Sequence, residues 1–184
     1  MRLLFSFLLL SALTSSAQDK YNLVHFNKLT EIAGSNYVIA TMENVGKMAT
    51  ANSKYLLFIN TADGKTVQVD FPKDADIEKI DQIKLDSLGI HRIIVCAQTV
   101  DLDGKQGIDW NDPAQIFVLS VDGQERKQLT EDGFFVRTWL VNKQTGRMVI
   151  TGHYDSNRNG KKDTMDRNQI LIYDLKTLKL VNKI

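Results

Sequence analysis

The chain is poor in the residues that most often mark chemistry. Its 184 residues include one cysteine, two prolines and three histidines. A lone cysteine excludes an intramolecular disulfide framework, and two prolines with 11 glycines exclude collagenous and proline-rich classes. Charge of one sign is also lacking. Lys and Arg total 23 against 22 for Asp and Glu, so no basic nucleic-acid footprint exists and no nucleic acid is expected as a partner. His25, His91 and His153 show no metal-ligand spacing, and no Gly-x-Ser-x-Gly, phosphate-cradling or zinc motif appears. With 43% hydrophobic residues the chain is too apolar for a disordered polymer and long enough to bury a core.

The one long apolar run stands at the start. Met1 and Arg2 precede an apolar stretch from Leu3 to Leu10, and Ser15 and Ala17 sit at −3 and −1 of a cut before Gln18. This pattern predicts a signal peptide over 1–17, too short for a stable anchor, and a secreted or periplasmic chain with no membrane anchor after cleavage. No cysteine stands at the cut, which speaks against lipoprotein processing. Residues 18–184 are then expected to form a single domain.

Within it three apolar, β-branched runs begin at Tyr37, Arg92 and Arg147, two equal steps of 55 residues. Each follows a turn and reads as an inner strand, buried on both faces. A second run follows in each unit, at Tyr55–Ile59, Gln115–Leu119 and Gln169–Tyr173. It leads through Asp63-Gly64, Asp122-Gly123 or the Lys176 turn into a more polar strand, at Thr66–Asp70, Glu125–Leu129 and Leu180–Ile184. A further strand candidate precedes each inner run, over 24–32, 77–85 and 134–141. Asp74 to Asp86 is compatible with a strand or a short helix. The expected fold is all-β and β-propeller-like: three four-stranded antiparallel blades, in units of about 21–72, 74–130 and 133–184.

The stretch from Gln115 through Asp122-Gly123 to Leu129-Thr130 resembles the repeat of TolB-like, WD-repeat-like six-bladed propellers: a Q-I-Y strand, then D-G, then an outer strand ending in L-T. The third unit keeps Gln169 but lacks Asp-Gly, the first keeps Asp63-Gly64 but lacks the glutamine, and the family's W-S-P-D-G turn is missing. The resemblance implies the fold and little about activity, because propellers host many functions. Propellers close with four to eight blades, and three are present. An open stack, a compact three-unit fold and a homodimer completing a six-blade ring are all compatible with the sequence.

The loop between the second and third strands of the third unit carries oxygen-bearing side chains at Asp155, Asn157, Asn159, Asp163 and Asp166. Counted from Asp155 these are positions 1, 3, 5, 9 and 12, with Gly160 at 6 and the carbonyl of Lys161 at 7. That spacing resembles an EF-hand-like calcium loop, which wraps a hard cation in six to eight oxygens. Aspartate replaces the usual glutamate at position 12. Fifty-four residues earlier, Asp101, Asp103, Asp109 and Asp112 occupy positions 1, 3, 9 and 12, with Lys105 at position 5 and Gln106 in place of the glycine. Four carboxylates in twelve residues repel one another unless a cation is bound. One or two Ca²⁺ ions are therefore expected, weakly held because basic residues crowd the third-unit loop, on the order of 10⁻⁴–10⁻³ M. In the first unit Glu43 to Lys54 contains one acid, and no metal is expected there.

These observations point to an exported, non-catalytic calcium-binding module presenting a surface to a protein or glycan partner. The competing expectation is a calcium-dependent propeller hydrolase or lactonase, which requires the carboxylates to converge on one pocket.

Overall fold

The computed structural model describes Phe26 and residues 28–41, 55–105, 107–161 and 163–184. The leader read over 1–17 and the first-unit loop over 43–54 lie outside the described residues.

Among the described residues, twelve strands form three four-stranded antiparallel sheets in sequence order. The first blade contains β1 (Lys28–Glu31), β2 (Tyr37–Thr41), β3 (Tyr55–Asn60) and β4 (Thr66–Asp70). The second contains β5 (Asp76–Leu85), β6 (Ile90–Gln98), β7 (Ala114–Leu119) and β8 (Arg126–Gln128). The third contains β9 (Phe134–Asn142), β10 (Arg147–Tyr154), β11 (Arg167–Asp174) and β12 (Lys179–Lys183). Each blade is an up-and-down meander, so every neighbour in a sheet is a neighbour in sequence. The ambiguous segment of the second unit is strand over Asp76–Leu85, closed by a single 3-10 turn at Asp86–Leu88 and Gly89 in the left-handed region.

The 55-residue step is also a register. Ile93 faces Leu119, Val38 faces Ile59 and Met148 faces Tyr173, the same pair in each blade. Alternation then gives each sheet two apolar faces. The even residues Leu56 and Phe58 of the first blade pack with Ile93, Val95, Phe117 and Leu119 of the second. The opposite face of the second blade, through Ile94, Cys96, Ile116 and Val118, packs with Phe134, Met148, Ile150, Leu171 and Tyr173 of the third. The middle blade is thus covered on both sides, which is why β7 is buried at every residue.

Blade contacts are close where side chains are missing. A Cβ on Gly123 would stand 2.5 Å from the Phe58 ring, and one on Gly146 2.5 Å from the Ile90 side chain. Both glycines also hold positive φ, so each serves its turn and its neighbouring blade at once. The short β8 ties the blades through its polar side chains. The Arg126 guanidinium donates to the Asp70 carbonyl and lies over Phe71 and Phe117, while the Lys127 ammonium donates to the Leu178 carbonyl at 2.7 Å.

Candidate metal-binding loops

The insertions between second and third strands emerge at one end of blades two and three. The leading glutamine of the repeat has a task at the neck of the second-blade loop. Buried Gln115 accepts from the Thr99 amide (3.0 Å) and hydroxyl (2.6 Å) through Oε1 and donates to the Pro113 carbonyl (2.7 Å) through Nε2. Gln98 adds a donor to the Asp112 carbonyl at 2.8 Å. Residues 99 and 113, the two ends of the loop, are clamped through one side chain. The Thr130 hydroxyl oxygen, at the end of the motif, accepts from the Ile116 amide at 3.0 Å.

Inside this loop the Asp101 carboxylate accepts from the Gly104 and Gly107 amides at 2.7 and 3.2 Å. Asp112, 5% exposed, accepts from the Leu102 and Asp109 amides, both at 2.8 Å. Asp103 accepts from the Lys105 amide and ammonium, each at 3.1 Å. The Lys105 hydrogen bond and charge hold the Asp103 carboxyl below its usual range. Asp101, Asp103 and Asp112 each bring a carboxylate oxygen within 4.8 Å of the others, an acidic triad that could hold a metal ion. Asp109 stands beside the triad and caps the turn, its Oδ1 accepting from the Asn111 amide at 2.8 Å.

The third-blade loop repeats this frame. Asp166 accepts from the Ser156 amide (3.1 Å) and the Asp163 amide (2.9 Å), the counterparts of Leu102 and Asp109. Met165 donates to Asp163 Oδ1 at 2.7 Å as Asn111 donates to Asp109. The Asn159 amide bonds Asn157 Oδ1 at 3.2 Å as the Lys105 amide bonds Asp103. Asp155 accepts from the Asn159 and Gly160 amides at 3.0 and 2.8 Å. At the triad positions, however, this loop offers two acids and Asn157. Asp163 Oδ2 is taken by the amide groups of Asn157 (2.8 Å) and Asn159 (2.7 Å), which hold its carboxyl below the usual range. Asn159 Oδ1 accepts from the Lys161 amide at 2.8 Å. Among the described residues the metal-capable acid cluster is therefore that of the second blade, although the third-blade loop follows the calcium spacing more closely in sequence. The sequence does not signal that the acids at positions 1, 3 and 12 of the second-blade loop would draw together; turn hydrogen bonds decide it.

The two loops meet. A Cβ on Gly160 would lie 2.7 Å from Asp103 Cα, so only glycine permits the third-blade loop to press on the backbone of the second. Beside this contact opens a cleft of about 810 Å³, lined by Asp103, Asp109 and Asp112 from one loop and Lys161 from the other, with His153 and Arg137 from the third blade. His153 is buried, stacks on Phe135 (centroids 4.9 Å apart) and sets Nε2 3.8 Å from Asp166 Oδ2. Trp110, 84% exposed, stands on the rim. The cleft, Arg137 and the role of Trp110 as a rim residue have no signal in the sequence.

The chain matches no protein-family model and no curated protein. Among solved structures it is similar to the acylaminoacyl peptidase of Pyrococcus horikoshii (TM-score 0.44, 12% identity), over 86% of this chain and 24% of that one. It is also similar to a mutant of the Synechocystis apocarotenoid oxygenase (TM-score 0.43, 12% identity), over 87% of this chain and 38% of that one, and to the cobalt-substituted form of that oxygenase (TM-score 0.38, 16% identity), over 80% and 34%. The chain spans less than two fifths of each. These are loose superpositions, and the three-blade fold rests on the sheet register described above.

Proposed function

We propose that the chain is an exported, non-catalytic calcium-binding module of propeller-like blades, whose two paired loops present a surface to a protein or glycan partner. The observation that carries this reading is the shared hydrogen-bond frame of the two loops, which gathers Asp101, Asp103 and Asp112 within 4.8 Å of one another. Each Asp101 and Asp112 oxygen spends one lone pair on a backbone amide and keeps the other for a ligand. A hard, flexible-geometry cation with oxygen preference suits this donor set, and Ca²⁺ is the exported-compartment candidate. The bound ion would relieve repulsion among the three carboxylates and stiffen both loops, because Gly160 rests on Asp103. Exposed Trp110 then gives the rim an apolar face for a sugar ring or an apolar side chain.

Calorimetric titration with millimolar Ca²⁺ tests the reading. Binding is expected, with a rise in melting temperature, since a ligand of the folded state stabilises it by mass action. Asp101→Asn with Asp103→Asn removes the tighter event; Asp155→Asn with Asp163→Asn removes the weaker. Absence of heat and of thermal shift, or titrations unchanged in both double variants, overturns the assignment.

The shared cleft favours one second reading, a calcium-dependent hydrolase. Carboxylates, His153 and Arg137 border a single space, as an ester or phosphoester site requires. Turnover of an activated ester that needs Ca²⁺ and is lost in His153→Ala would replace the binding-module reading with this one.

A further inference from the structure

We propose that two copies of this chain stack end to end, the open face of the third blade on the open face of the first, and so close a six-blade ring with two-fold symmetry.

The open faces can be read from the register, since directly paired residues of an antiparallel sheet share a face. On the third blade one row runs Leu140, Val149, Ile172, and the next runs Thr138, Thr151, Ile170, with Ile184 bonded to Ile170 through both backbone groups. On the first blade the rows are Val38 with Ile59, and Leu29, Ala40, Leu57. Leu29 is 70% exposed, Leu140 60% and Ile184 67%, while Val38, Leu57, Ile59, Val149, Ile170 and Ile172 are half-buried and Ala40 is buried.

The repeat says what fits there. Val149 and Ile172 pair as Ile94 and Val118 do in the middle blade, and Thr151 with Ile170 as Cys96 with Ile116. Those middle-blade residues form the face that grips the third blade. Val38 with Ile59 and Ala40 with Leu57 correspond to Ile93 with Leu119 and Val95 with Phe117, the middle-blade face that grips the first. The open face of the third blade is therefore the kind of face that receives a following blade. The open face of the first is the kind that follows one. A second copy offers the missing half of each, in the same register as the two interfaces already present. Two copies of the three described blades make six, within the four to eight at which propellers close. Two such contacts related by a two-fold axis leave no apolar end face.

Sedimentation and light scattering of the purified protein at micromolar concentration are expected to give twice the mass of one chain. Leu140→Arg and Leu29→Arg alter side chains already exposed in the single chain, one on each face, so each variant keeps its sheet signature by circular dichroism. Each is expected to reduce the mass to one chain. A single-chain mass for the unmodified protein overturns the ring, as do open-ended polymers. A dimer that survives Leu29→Arg means third blade on third blade, and one that survives Leu140→Arg means first on first; either overturns the arrangement.

Discussion

At Cys96 a small side chain reports the polarity of its surroundings. It is 6% exposed and donates to Glu78 Oε2 at 3.5 Å. Burial first, then the Glu78 charge, pushes the thiol up to about 12 from an ordinary 9.0. The thiolate is the reactive species, so the residue is expected to resist alkylation at pH 8 in the folded protein and to react only on unfolding. Between about pH 9 and 12 the folded thiol keeps a proton that the unfolded thiol has lost, so stability falls as pH rises through that window and is unaffected below it. Melting temperature against pH should flatten above 9 in Cys96→Ala. Gly152 is a second telling residue. It faces the β-bulge of β9, where Arg137 is the extra residue, and a Cβ there would lie 2.2 Å from the Phe135 carbonyl oxygen and 2.6 Å from the Phe134 ring. Gly152→Ala is expected to cost about 1–3 kcal/mol in chemical denaturation, the usual range for overpacking a filled site.

The loops behave as elements with their own internal hydrogen bonds. Gln115 ties both ends of the second-blade loop to β7, so its contribution is to the loop rather than to the core. Gln115→Ala leaves the Thr99 amide and the Pro113 carbonyl without these bonds, each worth about 1–3 kcal/mol when buried and unsatisfied. The expected outcome is a lowered melting temperature together with weaker Ca²⁺ binding, read in the same calorimetric titration. Lys105 has the opposite influence. It occupies loop position 5 and places an ammonium 3.1 Å from Asp103, standing in for a cation. Lys105→Asn removes that charge and supplies an oxygen, and ligand charge and count set calcium affinity in such loops. Binding is expected to tighten by about tenfold, equal to about 1.4 kcal/mol; unchanged affinity would place the ion elsewhere.

Across the described residues the middle blade belongs to both cores, so its packing joins the first sheet to the third. Phe58 joins the first blade to the second, and Trp139 packs against the core between the second and third, under the Lys79 ammonium at 4.8 Å. Phe58→Ala is expected to destabilise by about 3–5 kcal/mol. If nearest-neighbour contacts couple the blades as in repeat proteins, Trp139 fluorescence in a Trp110→Phe background shifts with circular dichroism in one transition. Separate transitions would mean that the third blade unfolds alone.

Strand periodicity, the 55-residue step and the Asp-Gly turns were enough to read three four-stranded blades, because alternation and hairpin chemistry are local. The oxygen spacing of two loops was legible for the same reason, and so was the likeness between them. Which acids draw together was not legible. Backbone amides of Leu102, Gly104, Gly107 and Asp109 orient Asp101 and Asp112, in a loop whose ends are clamped by Gln98 and Gln115. The contact of Gly160 with Asp103 joins two blades, and the cleft beside it gathers residues of both loops with His153 and Arg137 of the third blade. No sequence period encodes such distances. By itself the sequence determined the elements and the ligand types. The stacking of one blade on the next decided which of them share a site, since proximity across blades is set by packing rather than by order along the chain.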